Sequence, residues 1–203
     1  MASIYQLKSS FQGILRPIVN RLAAKGITAN QVTLAAVGLS AFGGLCMALL
    51  PQAKWPWLML PAILFVRMAL NAIDGMLARE HNMKSTLGAI LNELGDVISD
   101  TMLYLPFALI KDVPAWMVVV ICLLAVISEM TGVVAVQIGA TRRYDGPLGK
   151  SDRAFAFGAL GLFYGLGYIG IPTLTLVFAA LILLLAATIC NRAAKALKEA
   201  VHD

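Results

Sequence analysis

The sequence predicts an all-α integral membrane protein, with six transmembrane helices behind an N-terminal amphipathic helix at the membrane interface. Three observations carry this. Of the 203 residues, 60% are hydrophobic and 13% charged, where a soluble domain averages about 45–50% and about 25%. The apolar residues gather into six runs, each close to the ~20 residues that cross a bilayer as a helix. The lysines and arginines lie mainly between these runs, most of them on one side. This composition, with a mean hydropathy of +0.82, excludes a soluble domain, a disordered chain and a large extramembrane domain. A disulfide scaffold is excluded too, because Cys46, Cys122 and Cys190 each sit inside an apolar run without paired spacing.

The elements follow in order. Over residues 5–25, Leu7, Phe11, Leu15, Ile18 and Leu22 recur at helical spacing, with Lys8, Gln12, Arg16 and Arg21 between them. Such a helix lies in the membrane interface or packs on the bundle as an arm, and the spacing leaves both open. The spread of its bases is not that of a cleavable signal peptide. The first apolar run covers about 30–50 and ends at Pro51; the second covers 56–78 and ends near Arg79. The third starts at Ser85 and reaches about 110, with a kink expected at Pro106. The fourth spans about 113–137, the glycine-rich fifth 154–170 and the sixth 172–191. Pro51, Pro56, Pro114 and Pro172 fall at run edges, where a missing N–H does little harm. The expected organisation is an arm over 1–28 and a six-helix domain over 29–203.

Charge sets the orientation. Thirteen bases lie on one side: Lys8, Arg16, Arg21, Lys25, Arg79, Lys84, Arg142, Arg143, Lys150, Arg153, Arg192, Lys195 and Lys198. Lys54 and Lys111 lie on the other, with Trp55, Trp57 and Trp116. The positive-inside rule then puts both termini in the cytoplasm, with the tryptophans in the opposite interfacial belt. A bacterial inner membrane is the expected location. The net charge of +5 is accounted for by topology and needs no nucleic-acid partner.

The informative residues are acids in the apolar runs. Of eleven, five lie there: Asp74, Glu93, Asp96, Asp100 and Glu129. An ionised acid at the bilayer centre costs about 2.5–3.5 kcal/mol or more, and the runs hold one base, Arg67, expected to pair with Glu129. With Asn92 at zero, about 100° per residue puts Asp96 near ~40°, Asp100 near ~80° and Glu93 near ~100°. These four share one arc, flanked by the small residues Gly88, Gly95 and Ser99 that permit close approach. Asn71 and Asp74, at i and i+3, share a face of the preceding helix. The short 79–84 turn makes the two helices antiparallel, so the two sets meet near the cytoplasmic surface. Carboxylate and carboxamide oxygens without His or Cys suit Mg²⁺ or Mn²⁺. Zinc is not expected, since His81 and His202 lie in a loop and the tail. In the 142–153 loop, Arg142 and Arg143 read as topology and anionic-lipid contacts. Lys150 and Arg153, where a helix opens, read as phosphate ligands; Gly149-Lys150-Ser151 lacks the upstream glycine spacing of a P-loop.

The stretch Asn71-Ala-Ile-Asp74-Gly75-Met-Leu-Ala78-Arg79, eight residues, then Gly88-Ala-Ile-Leu-Asn92-Glu-Leu-Gly-Asp96 resembles the signature of the CDP-alcohol phosphotransferases. That signature reads D-x-x-D-G-x-x-A-R, eight residues, G-x-x-x-D-x-x-x-D, and every spacing fits. Thr28-Ala29-Asn30-Gln31-Val32-Thr33 is similar to the family's T-P-N-x-x-T segment, with Ala29 in place of proline. The resemblance covers about 15–191 and is specific over 26–33 and 71–96. It implies transfer of a phosphatidyl-type group from a CDP-linked lipid donor, CDP-diacylglycerol the expected one, to a hydroxyl acceptor, with release of CMP in phospholipid biosynthesis. It also implies one or two Mg²⁺ or Mn²⁺ ions, contact with membrane lipids, and a homodimer as a possible assembly.

Residue by residue, the resemblance makes Asn71, Asp74, Asn92 and Asp96 metal-site positions, joined by the nearby Glu93. It makes Asp96 the general base, which Asp100, a turn further on, would assist. Asn30, Thr33, Gly75, Ala78, Arg79 and Gly88 match positions around the donor nucleotide and its phosphates. The departures are Asn71 and Asn92, which stand where the family has its first and third aspartates and bring no charge. Two metals with Glu93 or Asp100 making up the charge, one metal, or an inactive site are the open alternatives. The relocated acids favour a working, altered site. A CDP-lipid-binding relative without catalysis, and an ion or proton carrier using the acid-lined arc, are the rival classes.

Overall fold

In a computed structural model, the backbone is described for residues 4–200 and side chains for 11–200. The side chains of Leu7 and Lys8, and the tail residue His202, lie outside the described residues. Among these the chain is entirely helical: α1 (Ile4–Ala24), α2 (Ala29–Leu49), α3 (Trp55–Glu80), α4 (Thr86–Tyr104), α5 (Ala115–Val134), α6 (Lys150–Leu166) and α7 (Ile171–Ala200). Tight 3₁₀ turns follow α4 (Leu105–Leu109) and α5 (Ala135–Ile138).

Local chemistry sets the boundaries. Thr28 caps α2: its Oγ1 accepts the Gln31 N–H at 3.3 Å, and Gln31 Oε1 accepts the Thr28 N–H at 2.9 Å. This reciprocal pair is a capping box, and it puts Ala29 at the first helical position, where proline is also at home. The substitution of Ala29 in the resembled segment is therefore conformationally neutral. Ser85 caps α4, its Oγ accepting the Gly88 N–H at 2.9 Å. At Pro106, where a kink was expected, the α-helix has ended at Tyr104 and the chain tightens into the 3₁₀ turn. At the end of α6, Gly167 takes φ 79°, and Tyr168 N–H bonds back to the Phe163 carbonyl at 2.9 Å, the glycine stop expected there.

Four helical segments are long and apolar enough to cross a membrane: Ala29–Leu49, Trp55–Glu80, Ala115–Ile138 and Ile171–Ala200. The protein is thus an integral membrane protein by its apolar helices. Large apolar side chains such as Phe42, Phe65, Leu123, Leu176 and Leu183 stay exposed on them, as on lipid-facing surfaces. The other two expected spans differ for physical reasons. α4 is interrupted by Glu93, Asp96 and Asp100. α6 has 17 residues, about 26 Å at 1.5 Å per residue, against a ~30 Å hydrocarbon core. α7 runs nine residues past the expected end at 191, so Arg192, Lys195 and Lys198 are helical.

The chain forms two compact units, residues 1–42 with 62–99 and residues 43–61 with 100–203. In the first, Leu15 and Val19 of α1 bury against Ala29 and Val32 of α2 and Ile73, Met76 and Leu77 of α3. Arg16 adds a bidentate pair with Glu80, at 2.9 and 3.2 Å. One stripe of α1 is therefore an arm packed on helices, while Ile14 and Ile18 remain exposed. In the second unit an aromatic core joins Trp57, Tyr104, Phe107, Phe157 and Phe178, with Tyr104 stacked on Phe157 at 4.0 Å. Pro61 has no N–H for the Trp57 carbonyl, and α6 packs there through Gly161. A Cβ at Gly161 would lie 2.8 Å from Leu60 Cδ2 and 3.1 Å from the Trp57 oxygen. Gly161→Leu is therefore expected to destabilise the protein by about 1–3 kcal/mol, read as a lower thermal midpoint in detergent; an unchanged midpoint would refute this packing.

Candidate functional site

In the first unit the site is built where α2, α3 and α4 present polar groups to one another. The α2 cap fixes Asn30 and Thr33 in its first turns. Thr33 Oγ1 donates to Asp74 Oδ2 at 2.7 Å, and both residues are buried. Asn71 Nδ2 donates to Asp96 Oδ1 at 2.9 Å. Arg67, one turn before Asn71 on the same face of α3, donates from Nη2 to the Asp96 carbonyl at 3.0 Å and lies 3.5 Å from its Oδ1. Arg67 is only 3% exposed. So the arginine expected to pair with Glu129 pairs instead with Asp96. Sequence reasoning missed it as a site residue, although its i, i+4 relation to Asn71 put it on the motif face.

The small residues of the motif also find reasons. A Cβ at Gly75 would lie 3.2 Å from Arg79 Nη1, because that guanidinium lies across the Gly75 backbone one turn earlier. A Cβ at Gly88 would lie 2.7 Å from Asn30 Oδ1 and 2.9 Å from Ser85 Oγ. Asn30 Nδ2 reaches that Ser85 Oγ at 3.4 Å, so Gly88 is the gap through which α2 meets the start of α4. Ser85 was not expected at the site; its place one residue before a helix was the available signal. Gly95 lets Val37 and Thr33 close on α4. Ala78, Asn92 and Glu93 are half-buried, and Arg79 is exposed.

Asp74 is held by Thr33, and Asp96 by Asn71 and Arg67; carboxylate oxygens are the type that hard divalent cations take. Among the described residues, no three of His, Cys, Asp and Glu form a group that could hold a metal. At Asn71 an N–H donor faces Asp96 where the family signature has a carboxylate.

The second unit holds Asp100, Lys150 and Arg153. Arg153 is 1% exposed. Its Nη2 lies 3.0 Å from both Asp100 Oδ2 and Glu129 Oε1. Arg192, also buried, reaches Glu129 at 3.4 Å and donates to the Ser128 carbonyl, while Arg142 lies 3.7 Å from Glu129. The expected phosphate ligand Arg153 is thus inside an ion network, and the expected assisting acid Asp100 is its partner. Two buried carboxylates require cations, and Arg153 is the one placed between them. Lys150 opens α6 half-buried. The 140–149 loop runs close along α5, where Arg143 N–H bonds the Gly132 carbonyl at 3.1 Å. It is held to α7 by Asp145, which accepts from Lys195 and Arg143, each at 2.8 Å, and by Arg143 with Glu199.

Lys195 first, with Arg143, holds the Asp145 carboxyl below the ordinary carboxylate range, against opposition from desolvation. A depressed pKa means that the clamp is complete above the unfolded value and is lost as pH falls through the folded one. Amide exchange over 141–146 is expected to stay slow at about pH 5 and to rise only below about pH 3.9. A rise already complete at about pH 5 would show that Asp145 does not hold the loop. Arg153→Met removes the buried cation that Asp100 and Glu129 share and is expected to cost about 3–5 kcal/mol, seen as loss of monodisperse protein in detergent. Full retention of stability would show the network to be dispensable.

Comparison with known proteins places this arrangement among relatives. The sequence profile described as CDP-alcohol phosphatidyltransferase matches residues 26–200. A curated relative, described as inner membrane protein YnbA of Escherichia coli strain K12, is 49% identical over 160 residues, covering 79% of each chain.

Proposed function

Given that the chain belongs to the CDP-alcohol phosphatidyltransferase family, we propose that it transfers a phosphatidyl group from CDP-diacylglycerol to a hydroxyl acceptor and releases CMP. The observation that carries this is the contact of Asn71 with Asp96 at 2.9 Å, which joins the two halves of the spaced motif across α3 and α4. In this reading the chain crosses a bacterial inner membrane six times, with α4 and α6 completing the bundle. The site opens to the cytoplasm, and the reaction serves phospholipid synthesis.

The acceptor oxygen attacks the phosphorus that bears the diacylglycerol. The bond from that phosphorus to the CMP oxygen breaks, and its electron pair leaves on the CMP phosphate. The hydroxyl proton goes to Asp96, which Asn71 and Arg67 hold in place. Thr33 orients Asp74 as an oxygen ligand, with the carbonyl oxygens of Asn71 and Asn92 and the carboxylate of Glu93 as further candidates. A Mg²⁺ or Mn²⁺ held by these oxygens would supply positive charge to offset that of the donor pyrophosphate. Arg79, exposed at the end of α3, offers a charged fork to the donor phosphates. Gly75, Ala78, Gly88 and Asn30 line the nucleotide side. Lys150 remains a candidate for the acceptor or donor phosphate; Arg153 serves by holding Asp100.

The test is CMP release by the purified full-length protein, with CDP-diacylglycerol, Mg²⁺ or Mn²⁺, and a panel of hydroxyl acceptors. Turnover is expected, and Asp96→Asn is expected to lower it by about 10²–10⁴-fold. A second reading, a CDP-lipid-binding relative without catalysis, is favoured by the N–H that Asn71 gives to Asp96. It predicts metal-dependent donor binding without CMP release, and activity gained in the Asn71→Asp, Asn92→Asp double variant. That pattern would overturn the transferase proposal.

A further inference from the structure

We infer that Arg16 of α1 is a positioning residue for donor binding: it takes up the Glu80 carboxylate, so that Arg79 meets the donor phosphates with its charge undiminished. This rests on the reading above, in which Arg79 serves the donor, and goes further by giving α1 a part in the site. Glu80 follows Arg79 in the chain and is the last residue of α3. Left alone, its carboxylate would oppose the site in two ways. It would repel a pyrophosphate arriving at Arg79, and it would compete with that pyrophosphate for the guanidinium. Residues adjacent on a helix do not face one another, so Arg79 would have to swing off Gly75, across which it lies, to pair with Glu80. The acid also stands at the negative end of the α3 dipole, where a further negative charge is disfavoured.

Arg16 answers Glu80 directly. Its Nε and Nη2 donate to Oε2 and Oε1 at 3.2 and 2.9 Å, so both carboxylate oxygens are engaged by the two-point fork that suits arginine. Packing delivers that fork. Leu15 and Val19 bury against Ile73, Met76 and Leu77 of α3, and Arg16 is the residue next to Leu15. One turn on, Asn20 Oδ1 lies 3.2 Å from His81 Nε2. Thus α1 holds both residues that follow Arg79. The Arg16 and Glu80 side chains remain 52% and 34% exposed, and a pair so exposed contributes little to stability. A charge beside a bound phosphate still acts on it within the ~8 Å screening length of physiological salt. The effect of the pair therefore falls on the ligand more than on the fold.

The experiment reads binding instead of turnover. Full-length protein in phosphatidylcholine nanodiscs is titrated with CDP in the presence of Mg²⁺ and followed by calorimetry. Arg16→Met is expected to weaken CDP binding by about three- to tenfold, with the thermal midpoint unchanged. Glu80→Gln, which removes the opposing charge, should bind CDP at least as tightly as the wild type. The Arg16→Met, Glu80→Gln double variant should return to within about twofold of the wild type. Arg21→Met takes a charge from the same helix without touching the pair, and should also stay within about twofold. A pair that merely fastens α1 would give equal losses in Arg16→Met and Glu80→Gln and no recovery in the double variant. That pattern, or wild-type affinity in Arg16→Met, or an equal loss in Arg21→Met, would overturn the inference while leaving the donor site standing. No CDP binding by any variant, the wild type included, would overturn both.

Discussion

A carboxylate inside an apolar helix has to be met by a donor or a cation, and that requirement organises the polar interior of each unit. Asp74 is met by Thr33, and Asp96 by Asn71 and Arg67. Asp100 is met by Arg153, and Glu129 by Arg153, Arg192 and Arg142. Breaking one partner from such a pair costs more than the pair itself contributes, because the charge left behind has no water. The acids therefore act as fixed points. Helices with small residues on their facing sides can close around them, and Gly88, Gly95 and Gly132 occur where a neighbouring chain segment lies close.

Much of this was legible in the sequence. The all-helical membrane character followed from composition, and the third apolar run was placed from Ser85, which is the residue that caps α4. The motif face of α3 and α4 followed from spacing, since residues three or four apart must share a side. The contact between Asn71 and Asp96 is what that geometry demanded. Ala29 in place of proline looked like a departure from the family pattern, yet at the first helical position the two residues serve alike.

What was not legible was pairing between distant residues. Arg67 has several acids to choose from on sequence grounds, and only packing decides that it meets Asp96 and not Glu129. Arg153 read as a phosphate ligand because bases near a loop suggest exposure. Its 1% exposure depends on Asp100 and Glu129 arriving from two other helices, which no local pattern reveals. The length of α7 was hidden for a related reason. Hydrophobic runs mark where lipid is, not where hydrogen bonding stops, so the helix continues through Arg192 to Ala200.

The substitution of asparagine for aspartate at position 71 has a consequence that charge counting alone does not convey. A carboxylate and a carboxamide have nearly the same shape, so the helix pair packs alike around either. They differ in the sign of what they offer Asp96: one repels it unless an ion intervenes, the other donates to it directly. A site built on the first is assembled by its metal. A site built on the second is already assembled by its own side chains, with Arg67 supplying fixed charge. Pre-organisation of this kind lowers the reorganisation needed when a charged donor arrives. It also ties Asp96 to two donors at once, which fixes the orientation of its carboxylate. The same pair of contacts thus gives this variant of the family site an order that does not wait for an ion.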